Sequence, residues 1–420
     1  MNISTRREQS DAIITVEGRI DAYSAEPLAN AVNQAVAELA GDLVLDLQGV
    51  EHVASAGLRV IIMAHKTIAD RPGTLKVVNV QPSVRRIFEL CHLDSILGVH
   101  DEMSVRIWGA RGSLPSPIGS DEIEHKIVSA MAQATASDVG SAQAARQFVQ
   151  GLPELLRGTA GGNTACVQVS VGDRLFILDA GSGIRALGLK LMTGAFGQGK
   201  GLVRLLISHT HWDHIMGLPF FIPAYVPGNR IQVCGGHENL EERFRAQQRP
   251  NFFPVQLADM GASLEFLRLA EGETHNLDDV CVSLLSMNHP GDSYSYRLEY
   301  GNKSIVYATD TEIHLAKTDP VQQYIDFFSE ADVLIFDSQY TLEETVAKQD
   351  WGHSSPMIGA DVAVEAKVKK LLMFHHEPTA SDELLQRSLD DTREYVQHIA
   401  EDSQCTVDLA REGLELKLSG

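Results

Sequence analysis

The chain has few cysteines and no pattern in them: Cys91, Cys166, Cys234, Cys281 and Cys405 are scattered over 420 residues without a C-x-x-C pair. That excludes a disulfide framework and suits reduced thiols in a cytosolic protein. Nowhere do the roughly 18–20 uninterrupted apolar residues of a membrane span occur. The opening MNISTRREQSD is polar with no apolar run behind it, so a cytoplasmic location without a secretory leader is expected. Positive charge is scarce: 35 Lys and Arg against 56 Asp and Glu leave a formal charge of −21. Tight binding to extended nucleic acid depends on neutralising phosphates with basic side chains, so that partner is not expected. Internal repeats and long low-complexity tracts are also lacking.

What is present is ordinary globular material, 44 % apolar and 22 % charged, at a length that suits two or three domains. Residues 1–100 alternate strand patterns (AIITVEGRID, LVLDLQGV, LKVVNV) with amphipathic helices (AEPLANAVNQAVAELA, GLRVIIMAHKTIAD, PSVRRIFELCHL). Apolar residues recur at two in the first kind and at three and four in the second, which predicts a small α/β domain over 1–100. HDEMS (100–104) reads as a polar hinge to a second domain, 105–420. Within that domain, residues from about 118 to 158 are rich in Ala, Gln and Ser at helical spacing. They predict a helical insertion, either a flap over a site or a packing on the domain edge. From 161 strands dominate, and several end the same way, an apolar run followed at once by Asp or His. Such endings gather polar groups along one edge of a β-sandwich.

The densest ending is LLISHTHWDHIMGLPFF, 205–221. In an extended segment alternate side chains point the same way, so His209 and His211 can meet one metal ion. Asp213 and His214 lie past the turn and can reach a second. His289 in SMNHPGDS, Asp310 in YATDTE and His375 in LLMFHHEP supply the remainder of a two-metal set, with Asp310 as bridge. Imidazole and carboxylate donors suit Zn²⁺, and also Mn²⁺ or Fe.

These motifs, with RIWGARGS (106–113), GGNTACV (161–167), LDAGSGIR (178–185), DSQY (337–340) and GHSS (352–355), make residues 105–420 resemble the metallo-β-lactamase superfamily. Within it the chain is most similar to the phosphodiesterase branch, which includes tRNase Z and the cyclic-nucleotide phosphodiesterases. The resemblance implies a four-layer αββα sandwich with two divalent metals. His209, His211 and His289 would hold one, Asp213, His214 and His375 the other, and Asp310 both; His375 is preferred to His376 on this ground. It also implies a bracing role for Asp179. Asp213 counts among the catalytic residues as well, with His353 as proton donor to the leaving oxygen and Asp337 as its acidic partner. Residues 1–100, through DLQGV (46–50), ASAGLRVII (54–62) and the closing helix, resemble the STAS domain of anti-sigma-factor antagonists. That resemblance puts a phosphorylatable serine at Ser55, preceded by Ala54 where an aspartate is common; a plain helix N-cap is the alternative.

Together these features lead us to expect a metal-dependent phosphodiesterase acting on a small phosphodiester such as a cyclic nucleotide, regulated through the STAS domain. The alternatives are a scaffold in a partner-switching pathway, or a metallo-hydrolase of another ester or a lactone. The expected partners are the small substrate and, at the STAS domain, a serine kinase or anti-sigma factor, with a homodimer allowed. Trp212 is read as packing beside the ligands, and Phe252 and Phe253 as core residues or as a platform for a base.

Overall fold

The computed structural model describes every residue except 9–10, 38–40, 70, 72, 92, 94–100, 315–317 and 419–420. The predicted domain boundary at 100 therefore lies outside the described residues. The chain divides into two compact units, one mainly Met1–Met103 and the other mainly Ser104–Leu416.

The small unit is a four-stranded sheet, β1 (Asn2–Glu8), β2 (Asp11–Ile20), β3 (Leu43–Val53) and β4 (Leu75–Val78), in the order β1-β2-β3-β4. β2 alternates as its sequence demands, with Ala12, Ile14 and Val16 inside. The helix Ala25–Ala37 turns Leu28, Val32, Ala35 and Val36 onto the same core, the i, i+4, i+7 and i+8 stripe of an amphipathic helix. β1 has no counterpart in the sequence reading. It is an edge strand held antiparallel to β2, its side chains are mostly exposed, and backbone pairing alone leaves no hydrophobic pattern to detect. Ser55 is the exposed first residue of the helix Ser55–Ala69. It is not the N-cap: the Ala54 carbonyl accepts the first helical bond, from Leu58 N–H at 3.0 Å.

The large unit stacks two seven-stranded sheets with helices outside each, a four-layer sandwich. The first sheet comprises β5 (Met103–Gly109), β6 (Cys166–Val171), β7 (Arg174–Leu178), β8 (Leu202–Leu206), β9 (Arg230–Gly235) and β10 (Ser263–Arg268). The second comprises β11 (His275–Leu277), β12 (Val280–Ser286), β13 (Tyr294–Tyr300), β14 (Lys303–Ala308), β15 (Val333–Asp337), β16 (Lys370–Phe374) and β17 (Thr406–Leu409). β18 (Glu415–Leu418) returns to the first sheet, whose order is β10-β9-β8-β7-β6-β5-β18; the second runs β11 to β17 in sequence.

Leu187, Phe221 and Phe244 cover the outer face of the first sheet, and Phe328, Ile358 and Leu389 that of the second. Between the sheets, Tyr296 donates to the Ile207 carbonyl at 2.6 Å and Tyr307 to Asp179 at 2.8 Å. β7, β8 and β9 are mutually parallel, as are β14 to β17, so their carboxyl ends share one edge of the sandwich. β10 lies at the edge of the first sheet, parallel to β9.

The insertion forms the helices Ser120–Gln133, Ala142–Gly151 and Glu154–Arg157, and no residue of the first two is buried. Its third helix sinks Leu155 into the core behind the second sheet, and polar contacts add to that footing. Lys126 donates to the carbonyls of Leu155 and Gly158 and pairs with Asp382 at 2.5 Å, while Glu122 accepts the Asp382 N–H at 3.1 Å. These anchors hold it at the start of the helix Asp382–Ile399.

Candidate metal centre

β8 ends at Leu206, and the chain runs through Ser208 and His209 into the one-turn helix Trp212–Ile215. Asp179 follows β7, Asp310 lies just beyond β14, Asp337 closes β15, and His375 follows β16. Asp179 (φ 61°), Asp310 (φ 47°) and His375 (φ 61°) all take left-handed backbone conformations. Asp and His enter that region more readily than most non-glycine residues, and such conformations cluster at active sites.

This edge brings seven predicted residues together in two overlapping sets. The facing ligand atoms of His209, His211, His289 and Asp310 lie within 4.8 Å of one another, as do those of Asp213, His214, Asp310 and His375. Asp310 belongs to both because its oxygens divide. Oδ1 is 3.1 Å from His214 Nε2 and 3.2 Å from His375 Nε2, and Oδ2 is 3.6 Å from both His209 Nε2 and His289 Nε2. Asp213 Oδ2 lies 3.2 Å from His214 Nε2 and 3.1 Å from His375 Nε2. His376 points elsewhere, its Nε2 donating to the Ala410 carbonyl at 2.7 Å; burial presses its pKa down to about 3.

The donor set fits divalent cations on three observations. His289 Nε2 meets His211 Nδ1 at 3.1 Å and His214 Nε2 meets His375 Nε2 at 3.3 Å, so ring nitrogens face each other in pairs. Two ligands of a tetrahedral Zn²⁺ at ~2.1 Å stand roughly 3.4 Å apart, close to that spacing. His209 Nε2 is buried with no hydrogen-bond partner, although burial normally demands one. The charges agree. Burial opposes a charged His214, yet Asp310, Asp213 and Asp179 outweigh it and hold its pKa well above the ordinary value. Burial, then neighbouring imidazoles, drive His209 well below. A pocket that concentrates negative charge on one imidazole while keeping another neutral is a pocket for a cation.

Asp179 is fully buried and braces the loop. Its Oδ1 accepts Ser208 N–H at 2.7 Å; its Oδ2 accepts the Ser208 hydroxyl at 2.7 Å, His214 Nδ1–H at 2.7 Å and the Tyr307 hydroxyl at 2.8 Å. The bond to Nδ1 fixes the tautomer that turns the His214 Nε2 lone pair into the cluster.

Beside the cluster, His353 Nδ1 donates to Asp337 Oδ2 at 2.8 Å. The His353 ring stacks on His375, with centroids 5.1 Å apart, and meets His289 edge-on at 5.2 Å, so it sits against one member of each set. Burial works against its protonation, but Asp337 more than compensates and lifts its pKa to about 9. Trp212 corrects the sequence reading: it is 74 % exposed and does not pack. Trp351, two residues before His353, is 64 % exposed, as is Phe252 to a similar degree, while Phe253 packs edge-on against Phe220.

Some participants were not foreseen. Ser113 N–H donates to Asp213 Oδ2 at 2.8 Å from a left-handed backbone, and Glu312 accepts the amides of Asp350 and Gly352. Both lie inside quoted motifs, but a backbone donor or a loop clip leaves no signal of residue type. Ser55 belongs to the small unit.

Comparison with known proteins agrees with this architecture. Residues 2–105 match the STAS domain family, and residues 174–376 match the family described as beta-lactamase superfamily domain. A ribonuclease Z of Oceanobacillus iheyensis is 21 % identical over 41 % of this chain and 71 % of its own length. The anti-sigma-B factor antagonist of Bacillus subtilis is 28 % identical over 24 % of this chain and 90 % of its own. Among solved structures, unliganded yeast PDE1 shares the fold with a TM-score of 0.53 at 12 % identity, over 76 % of this chain and 99 % of its own.

Proposed function

For a chain that joins an N-terminal STAS domain to a metallo-β-lactamase-fold hydrolase domain, we propose a dinuclear phosphodiesterase that cleaves a small phosphodiester such as a cyclic nucleotide. The observation that carries this reading is the carboxylate of Asp310 shared between two histidine sets, with the His353–Asp337 pair against both. Two divalent cations, Zn²⁺ foremost on an imidazole and carboxylate set, would be held by His209, His211 and His289 and by Asp213, His214 and His375, with Asp310 common to both. When bound they supply a water of lowered pKa and positive charge opposite the phosphoryl oxygens.

The protein's own groups do the rest. Asp179 keeps His214 in its ligating tautomer, and Ser113 N–H steadies Asp213. His353, charged through Asp337, gives its Nε2 proton to the leaving ribose oxygen as the P–O bond breaks. The water oxygen forms the new P–O bond and releases a proton to solvent, and His353 regains one, so diester and water become monoester and alcohol. General-acid help is worth ~10²–10⁴ in rate, most where the leaving group is an alkoxide.

The charge of −21 favours a small substrate over a folded RNA, and the exposed Trp212 and Trp351 offer flat faces to a base. The ribonuclease name of the relatives makes RNA the competitor. Metal-loaded protein is therefore assayed on bis-(p-nitrophenyl) phosphate, 2′,3′- and 3′,5′-cyclic nucleotides, pre-tRNA and a lactone, beside Asp213→Ala. Turnover of cyclic nucleotides that Asp213→Ala abolishes supports the proposal. Activity on pre-tRNA alone or lactone alone, or none at full metal occupancy, overturns it. The STAS domain serves as the regulatory input, through a serine kinase or anti-sigma partner; the exposed Ser55 at a helix start suits a phosphate, since free N–H groups and the positive dipole end face it.

A further inference from the structure

Glu312 stands two residues after Asp310, only 6 % exposed, and belongs to neither of the two sets that share Asp310; its Oε1 also lies 3.3 Å from His314 Nε2. Its backbone is stitched beside His289: its N–H donates to the Asn288 carbonyl at 2.9 Å, and its own carbonyl accepts Asn288 Nδ2 at 3.1 Å. Its carboxylate reaches across to the loop that carries His353. Oε1 accepts Asp350 N–H at 3.0 Å and Oε2 accepts Gly352 N–H at 2.9 Å. Buried carboxylates are costly unless such donors satisfy them, and charge-assisted bonds of this kind are strong and directional.

The other side of the same residue is also held. The Gly352 carbonyl accepts His289 Nδ1–H at 2.9 Å, which leaves the His289 Nε2 lone pair for the cluster. Gly352 has φ +85°, and a Cβ there would come within 2.2 Å of His289 Nδ1, so the backbone must approach this closely and only glycine permits it. Gly352 is thus clamped between Glu312 and His289, and His353 is the next residue.

We infer that Glu312 is a positioning residue for the proton donor: it clips residues 350–352 so that His353 meets the leaving oxygen while the same peptide fixes the tautomer of His289. The inference rests on the phosphodiesterase reading above. It goes beyond it in assigning the placement of the acid to a residue outside both the ligand set and the His353–Asp337 pair. A displacement of the order of 1 Å can cost ~10² in rate, so the loss of one clip bond is measurable.

The test uses the full-length, metal-loaded protein and two phosphodiesters that differ in leaving group. In a 2′,3′-cyclic nucleotide the leaving alkoxide needs a proton; in bis-(p-nitrophenyl) phosphate the nitrophenolate departs without one. Glu312→Gln is nearly isosteric, but its amide NH₂ confronts one of the two loop N–H groups. The expected result is a loss in kcat/KM about tenfold or more greater on the cyclic nucleotide than on the aryl ester, as for His353→Gln. In the His353→Gln background Glu312→Gln adds less than about twofold, because both act through one group. An equal loss on the two substrates, multiplicative effects in the double variant, or activity lost only in proportion to metal lost would each overturn the inference. Metal content and Tm are read in the same samples, and Glu312→Asp, shorter by one methylene, is measured identically should the glutamine variant not fold. A wild-type protein inert toward both esters refutes the phosphodiesterase reading and this inference with it.

Discussion

Asp179→Asn is the sharpest perturbation of the centre, because it changes one atom at a residue that touches no substrate. The wild-type carboxylate takes all of its partners as donors: Ser208 N–H on Oδ1, and the Ser208 hydroxyl, His214 Nδ1 and the Tyr307 hydroxyl on Oδ2. An asparagine must aim its NH₂ at one side or the other. Aimed at Ser208 N–H it sets two donors 2.7 Å apart, with no rotation to relieve them. Aimed at the Oδ2 partners it is better accommodated, since both hydroxyls can turn to accept. His214 then has to accept at Nδ1 and carry its proton on Nε2, the nitrogen that faces Asp213 and Asp310. A protonated Nε2 cannot ligate. Loss of such an outer partner typically costs 10–100-fold in metal affinity, or ~1.4–2.7 kcal/mol. The hydrogen bond to the lost charge adds ~1.5–3 kcal/mol of fold stability, a fall of several degrees in Tm. Competition with a chromophoric chelator measures the first quantity and thermal melts with and without metal the second. Zn²⁺ affinity within twofold of wild type, with an unchanged metal-induced rise in Tm, would refute the tautomer reasoning.

Further predictions concern pH, backbone and the small unit. His353 has its pKa raised to about 9, so its acid form is present below that value and lost above it; bound cations offset the carboxylates and move the limb lower. Cyclic-nucleotide turnover is therefore expected to fall on the alkaline side, and Asp337→Asn to shift that fall to lower pH; an unmoved limb would assign it to another group. Metal affinity should weaken as pH drops through neutrality, because the carboxylates that raise the His214 pKa make a proton compete there with the cation; calorimetry in buffers of different ionisation enthalpy should report protons released on binding. Gly352→Ala should push His289 aside and lower metal occupancy measurably by elemental analysis, whereas a wild-type occupancy would show that the loop gives way without harm. Ser55→Glu should alter either catalytic activity or capture of a kinase or anti-sigma partner, and a change in neither would leave Ser55 a simple helix-start residue.

Legibility in the sequence followed the length of the hydrophobic pattern. β2, β3 and the sandwich strands that end in Asp or His carry period-two or continuous apolar runs, and these were readable. β1, β10 and β18 were not, because edge strands are held by backbone pairing and present half-exposed side chains that resemble loops. The one-residue error at Ser55 has the same origin: a cap is defined by which carbonyl accepts, and Ala54 carries no side chain that says so. Trp212 misled in the other direction, since a tryptophan between two ligands reads as packing until its 74 % exposure is seen.

The residue types and their spacing alone pointed to imidazole and carboxylate gathered at strand ends, because H-x-H-x-D-H followed by strand-end His289, Asp310 and His375 stands out as a set. The sequence alone also separated an α/β unit from a strand-rich one, since periodicity is a local property. Only the tertiary structure decided which nitrogen of each histidine faces inward, that the oxygens of Asp310 divide between the two sets, and that the His353–Asp337 pair lies against both. It alone joined Glu312 to the loop at 350–352. Those are relations between segments 16 or more residues apart, made largely through backbone atoms and tautomers. Every residue has the same backbone, and a histidine is written with the same letter in either tautomer, so nothing in the letters could distinguish them.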